Sequence, residues 1–146
     1  MKKSIHFCTL DAVLGVPVEL VCGLDEAGRG PLAGPVAAAA AMLPPDFPFE
    51  LLDDSKRMSA RRREDAYRAI VEGAIDWAVG WATVEEIERS NILVASLRAM
   101  ERAFAGLTRR PALVVVDGIF APNLWMNGTY VEAATMPKAD SLVPAV

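Results

Sequence analysis

The sequence predicts a mixed α/β domain, and three stretches carry that prediction. Leu113 to Val116 is a continuous apolar run, three of its four residues valine, of the kind buried on both faces of a sheet. Ile75 to Ala82 alternates, with Ile75, Trp77, Val79 and Trp81 on one side, as a strand does. Leu93, Leu97, Met100, Phe104 and Leu107 recur at spacings of four, three, four and three, which is one buried helical stripe.

The remaining elements fall around these. Val18 to Leu24 reads as a strand entering the core. Pro35 to Leu43 is a second apolar run. Its alanines, Ala37 to Ala41, leave helix and strand open by pattern, and its length and flanking prolines favour a strand packed closely against something. Pro44-Pro45-Asp46-Phe47-Pro48 is a loop. Ser59 can cap a helix reaching Gly73, with Tyr67, Ile70, Val71 and Ala74 on one face. Thr83 with Glu86 is a capping box for a short helix, and Asn91 caps the longer, striped one. Arg109-Arg110-Pro111 ends it. Gly128 to Thr135 reads as one last strand. The early strands form an antiparallel meander, and helices then cross over to the buried strand.

Length and composition bound the class. The chain has 146 residues, which suits a single domain over 1–146, with 1–17 an N-terminal extension. Hydrophobic residues at 53% and charged residues at 23% build a core rather than a disordered chain. A net charge of −4 argues against coating nucleic acid through bulk charge, though not against a local basic patch. Cys8 and Cys22 are too few for a disulfide framework and read as buried thiols. The single histidine, His6, lies in the extension, so a histidine triad or a zinc centre is not indicated. Asp11 and Glu19 interrupt any signal peptide, and Pro31 to Pro45 is too short and too proline-rich to span a bilayer. The expected location is cytoplasmic, with no membrane partner. The high apolar content, with a mean hydropathy of +0.26, leaves self-association through uncovered surface open.

The chemistry gathers in the stretch Cys22-Gly23-Leu24-Asp25-Glu26-Ala27-Gly28-Arg29-Gly30-Pro31. Asp25 and Glu26 follow one strand and Asp117 follows another. Ligand groups collect at strand ends in open α/β sheets. If the two strands are parallel neighbours, Asp25, Glu26 and Asp117 converge, with Asp140 a fourth candidate. Carboxylates that close need a counter-charge, and hard divalent cations supply it. Paired metals drive in-line phosphoryl chemistry, so the residues point to a metal-dependent phosphodiester hydrolase. Two plainer readings stay open: Asp117-Gly118 as a turn, and Asp25-Glu26 as a helix cap. The glycines have neither the dinucleotide nor the P-loop spacing, and Pro31 removes a donor that a phosphate cradle would use. They allow close backbone approach to a ligand, with Arg29 aimed at a phosphate.

The block Gly23-Leu24-Asp25-Glu26-Ala27-Gly28-Arg29-Gly30-Pro31-Leu32-Ala33-Gly34-Pro35-Val36 resembles the opening motif of bacterial ribonuclease HII. Asp53-Asp54-Ser55-Lys56-Arg57-Met58-Ser59 resembles the family's second block, with Met58 where leucine is usual. Glu86 to Ile92 with Ala99-Met100, Val115-Val116-Asp117-Gly118, and Lys138-Ala139-Asp140-Ser141 resemble three later ones, with Ala139 in place of glycine. The resemblance implies a ribonuclease H-like mixed β-sheet flanked by helices, with the family's C-terminal helical part missing after Val146. It implies Asp25, Glu26, Asp117 and Asp140 as catalytic ligands of Mg²⁺ or Mn²⁺. It implies that Gly28, Arg29 and Gly30 read a 2′-hydroxyl and that Lys56 contacts phosphate. Arg61, Arg62 and Arg63 read equally well as a solvated helix face.

The implied activity is hydrolysis of RNA in RNA–DNA hybrids and incision 5′ to ribonucleotides embedded in duplex DNA. The ends left are 5′-phosphate and 3′-hydroxyl. The setting would be ribonucleotide excision repair and DNA replication, and the resemblance implies no protein partner. The alternative is a truncated, inactive family member that binds metal or nucleic acid without catalysis.

Overall fold

The computed structural model of the chain describes residues 15–27, 34–48, 59–117 and 120–136. Its strands are β1 (Val21–Ala27), β2 (Val36–Met42), β3 (Asp76–Ala82), β4 (Leu113–Asp117), β5 (Leu124–Met126), β6 (Thr129–Val131) and β7 (Ala133–Met136). Its helices are α1 (Ala60–Gly73), α2 (Val84–Arg89) and α3 (Ile92–Ala105). Five strands form one sheet in the order β3-β2-β1-β4-β7, and β5 and β6 form a separate hairpin. β1, β2 and β3 pair antiparallel, as the expected meander does. β4 then lies parallel to β1, and β7 parallel to β4. This is the expected mixed sheet.

Alternation explains which side of the sheet is covered. Val36, Ala38, Ala40 and Met42 of β2 are buried with Cys22 and Leu24 of β1 and Val114 and Val116 of β4, all on the face that α3 packs against. The alanine run, ambiguous between helix and strand, is therefore a strand whose small side chains let a helix come close. α3 answers with Ala95, Ala99 and Ala103, all fully buried, beside Met100 and Phe104. Gly80 of β3 completes the fit: a methyl there would collide with the backbone of Ala99 and Ala103. Burial of Cys22 pushes its thiol up to about 12, as expected of an inert core residue. Cys8 lies outside the described residues.

The helix boundaries follow the caps. Ser59 accepts from the Arg62 N–H at 3.2 Å and Asn91 from the Val94 N–H at 2.9 Å. Thr83 and Glu86 form the reciprocal box read from the sequence. Three expectations need correction. The strand expected over Val18 to Leu24 begins at Val21 and runs on to Ala27, because Val18–Leu20 closes a 3₁₀ turn after Pro17. The strand expected over Gly128 to Thr135 is two: β6 belongs to the hairpin and β7 to the main sheet, with Glu132 between them. Its turn is Asn127-Gly128, with φ of 51° and 78°, the left-handed pair that a two-residue hairpin loop takes. The apolar face of α1 is not a core stripe, since only Ala66 is buried and Tyr67 and Val71 are exposed.

Candidate metal centre

β1 and β4 are parallel neighbours, which is the condition under which their carboxylates meet. Their register pairs Val21 with Leu113, Cys22 with Val114, Gly23 with Val115 and Leu24 with Val116. Asp25 and Asp117 are the next residue on each strand. Parallel strands present residues in register on the same face, so both carboxylates rise from one side of one sheet end. Asp25 lies inside β1 rather than after it, so the strand's own backbone bonds to β2, with Asp25 opposite Ala39, hold it in place.

The electrostatics match the geometry. Burial first, and then the charges of Glu26 and Asp117, push the Asp25 carboxyl up to about 8. The Glu26 N–H donates to Asp25 Oδ1 at 2.8 Å and works the other way, without cancelling the rise. A carboxylate half-buried beside two others is a group short of positive charge. Successive strand residues point to opposite faces, so Glu26 starts from the far side of β1. No group of three or more His, Cys, Asp or Glu that could hold a metal ion is found among the described residues.

The donor chemistry fits a hard divalent cation. Every candidate is a carboxylate oxygen, and Mg²⁺ is held by one or two carboxylates with water and substrate phosphate filling the rest. β7 runs parallel to β4 and ends at Met136, opposite Asp117. Asp140 comes four positions later in the chain and itself lies outside the described residues. So do Gly28, Arg29 and Gly30, which directly follow β1, and Lys56. The structure thus sets Asp25 and Asp117 side by side on β1 and β4, with Glu26 the residue next to Asp25.

The family model of ribonuclease HII matches residues 22–146. The chain belongs to the ribonuclease HII family. Ribonuclease HII of Burkholderia lata is 47% identical over 130 residues, covering 89% of this chain and 58% of that protein. The chain therefore spans well under two thirds of the length of that relative. Ribonuclease H2 of Pyrococcus horikoshii has the same fold, with a TM-score of 0.69 at 23% identity over 86% of this chain and 66% of that one. Bst-RNase HIII, solved in complex with Mn²⁺, aligns with a TM-score of 0.68 at 19% identity, over 89% of this chain and 50% of the other. The block Gly23 to Val36 that resembles ribonuclease HII thus corresponds, where described, to the end of β1 and the start of β2.

Sequence reasoning did not anticipate two residues that organise the sheet's outer edge. Asp76 Oδ2 accepts from the Thr108 N–H at 2.7 Å and the Arg109 N–H at 2.9 Å, tying the α3–β4 loop to the start of β3. Arg102 bridges α3 to both Glu86 carboxylate oxygens and to the Trp81 carbonyl. An acidic residue at a strand start carries no pattern that separates it from a loop residue. No helix among the described residues is long and apolar enough to cross a membrane.

Proposed function

We propose that the chain carries the catalytic core of a metal-dependent endoribonuclease that hydrolyses RNA in RNA–DNA hybrids and incises 5′ to ribonucleotides embedded in duplex DNA. The observation that carries this reading is the alignment of Asp25 and Asp117 on two parallel neighbouring strands, with the Asp25 carboxyl raised to about 8, in a ribonuclease HII chain. Asp25, Glu26, Asp117 and Asp140 would hold Mg²⁺ or Mn²⁺. When bound, such an ion lowers the pKa of its water and offsets charge on the phosphate being cleaved.

The residues of the chain do the rest. Crowding among the carboxylates keeps the metal-free site unfavourable, so affinity for a divalent cation is built into the apo protein. The rigid register of β1 against β4 fixes the spacing of Asp25 and Asp117, and phosphoryl transfer depends on such positioning. Gly28 and Gly30 follow β1 directly and would let the backbone approach a ribose closely. That sets the substrate class, because the 2′-hydroxyl is what separates RNA from DNA. Arg29 and Lys56 would meet phosphate oxygens, which orient the duplex without reading it.

The test is incubation with duplex DNA carrying one ribonucleotide, with and without Mg²⁺, beside the Asp117→Asn variant. Mg²⁺-dependent incision 5′ to the ribonucleotide, leaving 3′-hydroxyl and 5′-phosphate ends and lost in the variant, supports the proposal. Binding of metal and duplex without cleavage would instead make the chain an inactive family member.

A further inference from the structure

β3 is an outer strand of the main sheet, and it carries three exposed apolar side chains. Trp77, Val79 and Trp81 are 37%, 45% and 56% exposed. Their backbone groups also point outward. N–H and C=O groups alternate between the two sides of a strand, residue by residue. The Trp77 N–H donates to Asp76 Oδ1 at 3.0 Å, and the Trp81 carbonyl accepts from Arg102 Nη1 at 2.6 Å. Both bonds go to side chains outside the ladder with β2, so residues 77, 79 and 81 turn their backbone toward the open side. An exposed apolar edge of this kind is a template for another strand.

The strip Trp77-Val79-Trp81 is symmetric about Val79. A second copy of β3 laid antiparallel across the edge, on a two-fold axis at Val79, would set Trp77 against Trp81 of the other copy. In that register the Trp77 N–H of one copy donates to the Trp81 carbonyl of the other, and the reverse. These are the two groups that Asp76 and Arg102 already occupy. Neither guard is loose. Asp76 is held through Oδ2 by the Thr108 and Arg109 N–H groups, and Arg102 by both carboxylate oxygens of Glu86, at 2.7 and 2.6 Å.

We propose that Asp76 and Arg102 guard the β3 edge against pairing with the β3 edge of a second copy of this chain. The guard works by prior occupation of the outermost donor and acceptor, and by a charged guanidinium placed where the incoming strand would run. It leaves only the central Val79 groups and the outward Trp77 carbonyl and Trp81 N–H, too little to hold a register.

Sedimentation velocity across a concentration series tests this on four proteins: the unaltered chain, Arg102→Met, Glu86→Gln, and Arg102→Met with Val79→Lys. Glu86→Gln breaks the same ion pair but leaves the guanidinium able to reach the Trp81 carbonyl, so it controls for lost stability. Arg102→Met should self-associate at least about tenfold more tightly than the unaltered chain. Glu86→Gln, which keeps the guanidinium but loosens its hold, should associate clearly less tightly than Arg102→Met. Val79→Lys should reverse the gain, since the two-fold axis would bring two ammonium groups together. The proposal is overturned if Arg102→Met matches the unaltered chain, if Glu86→Gln associates as strongly as Arg102→Met, or if Val79→Lys restores nothing. Amide hydrogen exchange on the dilute unaltered chain gives a readout that no folding failure can blur. The Trp77 amide should be protected and the Val79 and Trp81 amides should exchange fast. Equal protection of all three would mean the edge is already paired, and would also overturn the proposal.

Discussion

Asp25 and Asp117 stand side by side on two parallel strands, each one residue beyond the paired Leu24 and Val116. Nothing else in the described structure puts two carboxylates from distant parts of the chain in such fixed register. Partial burial, with the neighbouring charges of Glu26 and Asp117, makes Asp25 hold its proton near neutral pH in the metal-free protein, where its ordinary value is 3.8.

That shift makes stability depend on pH with a definite sign. A carboxyl raised on folding stabilises the native state when protonated. Its contribution is fully present below the ordinary value of 3.8 and is lost as pH rises toward about 8. Thermal unfolding in chelator should therefore give a falling melting temperature across that window. Asp25→Asn should flatten the profile and gain on the order of 1–3 kcal/mol at the upper end, after allowance for solvent screening. Added Mn²⁺ should also flatten it, because a bound cation favours the ionised form. A profile that is flat in the unaltered, metal-free protein contradicts the crowding of these carboxylates.

Asp117→Asn should weaken Mn²⁺ binding without unfolding the chain. The amide keeps the shape of the carboxylate and removes its charge, so the cation loses a ligand while Asp25 loses a repelling neighbour. Isothermal titration with Mn²⁺ and circular dichroism on the same sample separate the two effects. Unchanged Mn²⁺ affinity in a folded variant removes Asp117 from the site.

Gly80→Ala should cost about 3 kcal/mol, the upper end for an overpacked core. The added methyl meets the backbone of Ala99 and Ala103, and a helix backbone cannot step aside as a side chain can. Gly34→Ala is the control, since nothing lies within 4 Å of a methyl there. Its effect should stay within about 0.5 kcal/mol. Urea unfolding of both variants measures the contrast, and equal losses would refute the close approach of α3 to β3.

Glu86→Gln should lower the melting temperature at neutral pH and have no effect in strong acid. The Arg102 guanidinium holds the Glu86 carboxyl down at about 2, from an ordinary 4.5, and the Thr83 N–H helps. A depressed value stabilises the fold above 4.5 and loses that contribution as pH falls through about 2. Melting curves of the variant and the unaltered chain should converge toward that acid limit. A gap that persists there would mean the glutamate acts through packing, not charge.

Much of this was legible in the residues. The caps Ser59, Thr83 and Asn91 set helix starts through bonds to amides three positions away. The buried run Leu113–Val116, the alternation from Trp77 to Trp81 and the carboxylates themselves were equally readable. Local hydrogen bonding and side-chain period are properties of short stretches, so a short stretch reports them. The division of Gly128 to Thr135 between two sheets was not legible, because a partner strand, not a pattern, decides where a strand stops.

The same reason limits what alternation says about burial. Trp77, Val79 and Trp81 announce a strand face in the sequence, but only the packing of α3 against the poorer Ala78, Gly80 and Ala82 side leaves that face exposed. Asp25 and Asp117, more than ninety residues apart in the chain, show the point at its sharpest. Their residue type was written in the chain and announced a cation. Their register came from the parallel pairing of β1 with β4, and the raised Asp25 carboxyl from burial in the folded chain, with the Asp117 charge adding to it; no local stretch encodes either.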